Sequence, residues 1–235
     1  MESTHYYKSF VKYLLENEKN PDLQVNKFNA VYKIQEALKD HKNIHWVYFD
    51  IETANDIHDQ NIRNGKIIEI GAFHDNSTFS ELCNPGISIT NSHIHGITDS
   101  MVLNKCATEH TLYNFFVYLN SLKKSPEDII VLIGHNAANF DKKVIENHLI
   151  KFKFNNEICE NILIADTLHA LKKYVKIKEG NLEALYRHLF NETYTEKHRA
   201  LDDSRDLKKV VDKVTNDNDL LLFSFLQRYI YTISY

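Results

Sequence analysis

Hydrophobic positions change their period along this chain, and the changes divide it. Up to residue 42 the apolar residues recur at three-and-four spacing: Tyr7, Phe10, Val11, Leu14 and Leu15, then Phe28, Val31, Ile34 and Leu38. That spacing lines one side of a helix, and Asn20-Pro21-Asp22 breaks the stretch into two. Residues 1–42 are therefore expected as a helical extension. From residue 44 the pattern turns to strands. Trp46-Val47-Tyr48-Phe49 is continuously apolar and runs into Asp50-Ile51-Glu52-Thr53, so residues 44–52 read as strand. Residues 66–73 and 78–83 follow as two more, joined by a turn at His74-Asp75-Asn76-Ser77.

Leu112, Phe115, Phe116 and Leu119 then predict an amphipathic helix, closed by Lys123, Lys124 and Pro126. Residues 129–133 are wholly apolar, the mark of a strand covered on both faces. A helix through Val144, Ile145, His148 and Leu149 comes next, and residues 162–166 read as a last strand. Helices are expected around 167–175, 181–190 and 199–214, with the apolar tail as one more. A hairpin followed by alternating helix and strand predicts an α/β domain, a five-stranded mixed sheet flanked by helices. The expected division is an extension at 1–42, a domain at 43–214 and a C-terminal helix packed on it at 215–235.

Composition narrows the partners. With 43% hydrophobic and 26% charged residues the chain is ordinary for a soluble domain. The tail contains Gln227 and Arg228 and is too short to span a bilayer, so no membrane partner is expected. The start lacks the basic and apolar regions of a signal peptide, which predicts an intracellular protein of cytoplasm or nucleus. A net charge of −4 argues against coating nucleic acid by bulk electrostatics, although an enzyme that engages one strand end is compatible with it. Cys83, Cys106 and Cys159 are odd in number and form no Cys-x-x-Cys pair, so neither a disulfide framework nor a zinc ribbon is indicated. Nothing in the pattern fixes an oligomeric state.

The chemistry begins at Asp50 and Glu52. Side chains alternate along a strand, so both leave the same face. Holding two carboxylates together there costs roughly several kcal/mol unless a cation or proton neutralises them. Asp141 stands at the start of a helix just after a strand. Asp203 comes five residues after His198, which on one helix would set the side chains roughly 140° apart. His198 is therefore expected in the loop entering the helix, with Asp203 in its first turns. Asp166 reads as structural, closing its strand or capping the next helix. Strand ends and helix starts on one edge of an α/β sheet are where sites collect.

Taken in order, Asp50-Ile51-Glu52, His135-Asn136…Phe140-Asp141 and His198-x-Ala200-x-x-Asp203 resemble the three exonuclease motifs of the DEDDh family. These are the DnaQ-like 3′–5′ exonucleases on a ribonuclease H-like fold. Ile67-Ile68-Glu69-Ile70-Gly71-Ala72, Asn84-Pro85-Gly86, His95-Gly96-Ile97-Thr98 and Asp166-Thr167-Leu168 add to the likeness, which runs from about residue 44 to 214. The resemblance implies that Asp50, Glu52, Asp141 and Asp203 are the catalytic, metal-binding acids and His198 the general base. Hard oxygen ligands suit two divalent ions, Mg²⁺ or Mn²⁺. Such a pair activates the attacking water and stabilises the leaving oxygen in phosphodiester hydrolysis.

The resemblance also implies nucleoside 5′-monophosphates released one at a time from the 3′ end of a nucleic acid, DNA and single strands being favoured. Ile51, Thr53, Ala54, His95 and Asn136 are the expected substrate contacts, His95 meeting the terminal nucleotide and the backbone after Glu52 its 3′-hydroxyl. The chain departs from the common Thr-Thr-Gly here, reading Thr53-Ala54-Asn55. Asn55 is the residue type that best keeps a left-handed turn without glycine. Three rival readings stay open: an RNA-trimming enzyme of the same chemistry, a non-catalytic module that binds nucleic acid or a polymerase, and a proofreading subunit whose apolar tail docks a polymerase. The basic run Leu171-Lys172-Lys173-Tyr174-Val175-Lys176-Ile177-Lys178 reads first as a solvated helix face. Contact with substrate phosphates, joined by Arg199, is its sharper alternative.

Overall fold

A computed structural model describes residues 2–40, 42–55, 64–195, 197–218 and 220–235, with side chains from residue 9 onward, so the Tyr7 ring lies outside it. The sheet has the order β3-β2-β1-β4-β5-β6. Its strands are β1 (Ile44–Thr53), β2 (Ile67–His74), β3 (Ser77–Leu82), β4 (Ile129–Gly134), β5 (Ile162–Asp166) and β6 (Ile230–Thr232). β1, β4 and β5 run parallel, whereas β2, β3 and β6 pair antiparallel with their neighbours. This is the mixed α/β sheet expected, with one strand more.

The extra strand corrects the reading of the tail. Residues 215–235 are not one helix: α10 (Leu222–Leu226) is short, a 3-10 turn follows, and Ile230, Tyr231 and Thr232 add to the β5 edge. The apolar residues there have strand as well as helix partners. Ile230 and Tyr231 bury against the sheet while Phe225 and Leu226 bury against the helical layer.

Alternation along β1 assigns the two faces. Val47, Phe49 and Ile51 face α5 (Thr108–Ser121) and α6 (Asp141–Lys151), through Phe115, Phe116, Val144 and Ile145. Tyr48 faces the other way, into a core built from α7 (Leu168–Val175), α8 (Leu182–Phe190) and α9 (Ala200–Asp217). Asp50 and Glu52 have the parity of Tyr48 and so leave the sheet on the α9 side. α2 (Pro21–Lys39) packs here too, through Ala30, Ile34 and Ala37, and α1 (Glu2–Asn17) packs on α2 with Phe10 and Leu14 against Val31. Asn20 caps α2 by accepting from the Asp22 N–H at 3.0 Å, with Pro21 as its first residue. Two short helices, α3 (Ser92–His95) and α4 (Asp99–Val102), lie in the β3–α5 connection, where no apolar period announced them.

At the opposite edge of the sheet Asp128 ties the start of β1 to the loop before β4. Its buried carboxylate accepts from the N–H groups of Lys124 (2.9 Å), Asn43 (3.2 Å) and Ser125 (3.2 Å), with the His45 ring at 3.3 Å. Burial opposes the charge, but these donors together hold the carboxyl down at about 2. Against ~3.9 in an unfolded chain, the lowered value stabilises the fold above pH ~4, and the gain is lost as pH falls towards 2. Urea midpoints measured across that window are expected to fall steeply for the native chain. In Asp128→Asn most of that slope is expected to vanish.

Candidate active site

Asp50, Glu52 and Asp203 converge: one carboxylate oxygen from each lies within 4.8 Å of the others. Asp50 and Glu52 come from the end of β1 and Asp203 from the first turn of α9. Asp202, its neighbour, points elsewhere, to Lys197 at 3.4 Å and Arg205 at 4.0 Å. Asp141 stands outside this trio. It opens α6 on the other face of the sheet and is only 2% exposed. Its Oδ1 has no hydrogen-bond partner. Burial raises the Asp141 carboxyl to about 8, with the Asp166 charge adding, while backbone bonds at Asp141 itself and at Ile51 pull it down. A buried carboxylate oxygen without a partner is costly unless a proton or cation meets it.

Glu69 holds α9 in place. It lies on β2 directly across from Glu52, is 2% exposed, and would repel the acids if unpaired. Arg199 answers it with a fork, Nη2 at 2.6 Å and Nε at 3.1 Å, and the Ala200 N–H donates to the same carboxylate at 3.0 Å. The Arg199 N–H in turn donates to Asp203 Oδ2 at 3.1 Å. Gly71, two residues along β2 and opposite Asp50, gives the helix room to approach, because a Cβ there would sit 2.1 Å from the Leu201 nitrogen. Between this anchor and the preceding loop, His198 takes a left-handed φ of 50°, a conformation His adopts more readily than most residues. It is half-buried and lies in the loop entering α9. Arg199, for which phosphate contact is the alternative reading, pairs its guanidinium with Glu69.

The remaining expected contacts fall into two groups. The Thr53 carbonyl accepts from Asn91 Nδ2 at 2.9 Å, and the His95 ring meets Asn91 Oδ1 at 3.2 Å. His95 Nδ1 accepts the Ile97 N–H at 3.0 Å, which leaves Nε2 as the protonated nitrogen facing Asn91. Burial first, then the nearby His198 and His93, lowers the His95 pKa, so the ring is neutral at pH 7. Ala54 is fully buried, its N–H bonded to the Lys66 carbonyl (2.8 Å) and its own carbonyl to the Thr90 N–H (3.0 Å). Its backbone is therefore engaged within the fold.

Asn136 is left-handed (φ 61°), and its Oδ1 accepts from the Asn139 amide at 3.0 Å. Asp166 accepts from the N–H groups of Ala138 (3.0 Å) and Leu168 (2.9 Å), so it fastens the turn that delivers Asp141. Ile51 contributes the backbone contact to Asp141, and its side chain belongs to the core. The Glu69–Arg199 pair went unnoticed in the sequence as a site feature. Its signal was there: a single Glu within an apolar strand run needs a buried partner.

Residues 47–211 match the family described as "RNase_T: Exonuclease". The chain belongs to this DnaQ-like exonuclease family. A relative within reach is "Exonuclease DPD1, chloroplastic/mitochondrial" of Arabidopsis thaliana, 34% identical over 192 residues, which cover 76% of this chain and 58% of that protein. The zinc-bound Exonuclease I–ssDNA complex of E. coli superposes with a TM-score of 0.56 at 16% identity, over 76% of this chain and 42% of that one. Cell-death related nuclease 4 does so with 0.55 at 10% identity, over 75% and 66%. At such identities the two structures show a shared ribonuclease H-like fold. The chain thus spans little more than half of its Arabidopsis relative and less than half of Exonuclease I. No helix of the described residues is long and apolar enough to cross a membrane.

Two substitutions in this family member separate anchoring from packing. Arg199→Ala leaves Glu69 buried without its cation and is expected to destabilise the chain by about 2 kcal/mol. That is below the ~3–5 of a fully buried pair because Arg199 is 40% exposed. Gly71→Ala forces α9 off the sheet, at about 1–3 kcal/mol as an overpacking strain. Urea unfolding measures both. Additivity in the double mutant would show that Arg199 and Gly71 do not act on one helix start.

Proposed function

We propose that this chain is a divalent-metal-dependent 3′–5′ exonuclease that removes nucleoside 5′-monophosphates from single-stranded nucleic acid, DNA in preference. The observation that carries the reading is the convergence of Asp50, Glu52 and Asp203 within 4.8 Å, in a chain of an exonuclease family. The donor set fits hard divalent cations, being all carboxylate oxygen. The buried Asp141 Oδ1 supplies a further oxygen that has no protein partner. Asp50, Glu52 and Asp203 would hold divalent metal, Mg²⁺ or Mn²⁺, and Asp141 would be the fourth carboxylate of a two-ion set. When bound, such a pair polarises the attacked phosphate and stabilises the departing oxygen.

The chain's own residues do the rest. His198, in the loop that the Arg199–Glu69 pair anchors, accepts the proton of the attacking water at a ring nitrogen. His95, held neutral by burial, and the Thr53 backbone, fixed through Asn91, form the surface that meets the terminal nucleotide. Asn136 shapes the turn beside it. Single-stranded substrate is supported by the Exonuclease I complexes, solved with ssDNA and with a dA16 oligonucleotide. All three cysteines are free thiols, which fits a reducing compartment. In the apolar stretch 220–233 Phe225, Leu226, Ile230 and Tyr231 are buried within the fold, which leaves Leu221 as its exposed large apolar side chain among the described residues.

Incubation with 5′-labelled single-stranded DNA, RNA and duplex, with Mg²⁺, Mn²⁺ or EDTA, tests the proposal. A ladder shortening from the 3′ end is expected, fastest on single-stranded DNA and abolished by EDTA or Asp50→Ala. His198→Ala is expected to lower kcat about 10²–10⁴-fold, the usual contribution of a general base. Cleavage that persists in EDTA would sink the mechanism.

A further inference from the structure

A second cleft opens on the sheet edge that carries the acids, on the other side of the turn at residues 136–140. Its volume is ≈ 640 Å³, inside the range of about 300–1,000 Å³ usual for ligand sites. Ala138 and Asn139 of that turn line it together with Asp166. One wall is α7, with His169, Lys172 and Lys173; the opposite wall comes from both ends of the chain, with Tyr13, Lys27 and Tyr229. The cleft and Asp141 share this turn: Ala138 is bonded to Asp166, and Asp141 feels the Asp166 charge.

Charge and aromatic surface there have a consistent character. The two carboxylates of the cleft are engaged, Glu18 by Lys27 at 2.8 Å and Asp166 by two N–H groups. Lys172 and Lys173, by contrast, have no carboxylate within ion-pair distance among the described residues. The His169 and Tyr229 rings lie 6.1 Å apart beside them, and the Arg228 guanidinium sits 4.0 Å over the Tyr13 ring. Burial raises the Tyr229 and Tyr231 pKa values, which keeps both hydroxyls neutral donors. Cations next to flat rings in a cleft are the ingredients of single-strand binding: phosphates meet the lysines and bases stack on the aromatics. Tyr13, Lys27, Tyr229 and Tyr231 lie outside residues 47–211, whereas His169, Lys172 and Lys173 lie inside, so the family match accounts for only one wall of this cleft.

We propose that this cleft binds the single strand upstream of its 3′ end, with Lys172 and Lys173 on its phosphates and the Tyr229–His169 face on a base. The proposal rests on the exonuclease reading and adds a subsite that only a long strand reaches. It is tested with the full chain by steady-state kinetics on a dinucleotide and on a long single-stranded DNA, for Lys172→Ala/Lys173→Ala and, separately, Tyr229→Ala. On the long strand KM is expected to rise about tenfold in each variant with kcat unchanged, since a stacked base or phosphate pair contributes on that order. Dinucleotide kinetics are expected to stay within about twofold, the twofold being ordinary scatter for a surface change away from the site. In the lysine variant the slope of log KM against log salt is expected to fall by about 1.4, for two phosphates of a single strand. An equal KM rise on the dinucleotide, or none on the long strand, overturns the cleft assignment. If the native chain degrades neither substrate, the exonuclease reading fails instead. Fluorescence anisotropy of a labelled single-stranded DNA in EDTA then still judges the cleft, tighter binding by the native chain than by the lysine variant supporting it and equal binding overturning it.

Discussion

Everything at the candidate site depends on where α9 begins, and one buried ion pair decides that. Glu69 stands on β2 across from Glu52, in a position where another negative charge works against the site. It is tolerated because it has a cation and a backbone N–H of its own, from Arg199 and Ala200. The same contacts fix the two residues on either side: His198 before them in a left-handed turn, Asp203 after them on the helix. The pair's net contribution to stability is modest, as expected of buried ion pairs. Its effect on position is the larger one, since three acids must share one small volume.

Most of the architecture could be read from the chain because it is written in local periods. The apolar run ending in Asp50-Ile51-Glu52, the wholly apolar β4 and the helices from α7 to α9 sit within a few residues of where their patterns put them. The placement of Asp50 and Glu52 on one face, and of His198 ahead of the helix that carries Asp203, also follows from period and spacing. What was not legible depends on contacts between distant segments. The tail is apolar enough for a helix, and only the bare edge of β5 makes it a strand. Arg199 looks like a phosphate contact until β2 brings Glu69 beneath it. The ties of Ala54 to Lys66 and Thr90 likewise join segments too far apart for any local pattern to announce them.

The segments outside the family match are more than decoration. α2 closes the α9-side core through Ala30, Ile34 and Ala37, and the final strand completes the sheet. The two meet directly, for Asn26 accepts from the Thr232 N–H at 2.8 Å and its amide donates to the Thr232 carbonyl at 3.3 Å. Residues far apart in sequence thus jointly close the β5 side of the sheet.

That closure orders events during synthesis. Until residues 230–232 have left the ribosome, β5 has one row of backbone donors and acceptors without partners, and an unpaired strand edge is a template for joining other chains. The nascent protein must therefore carry a nearly complete sheet with one sticky border until β6 has been made. The short β6, pinned by Asn26 as soon as it emerges, is the cover that removes it.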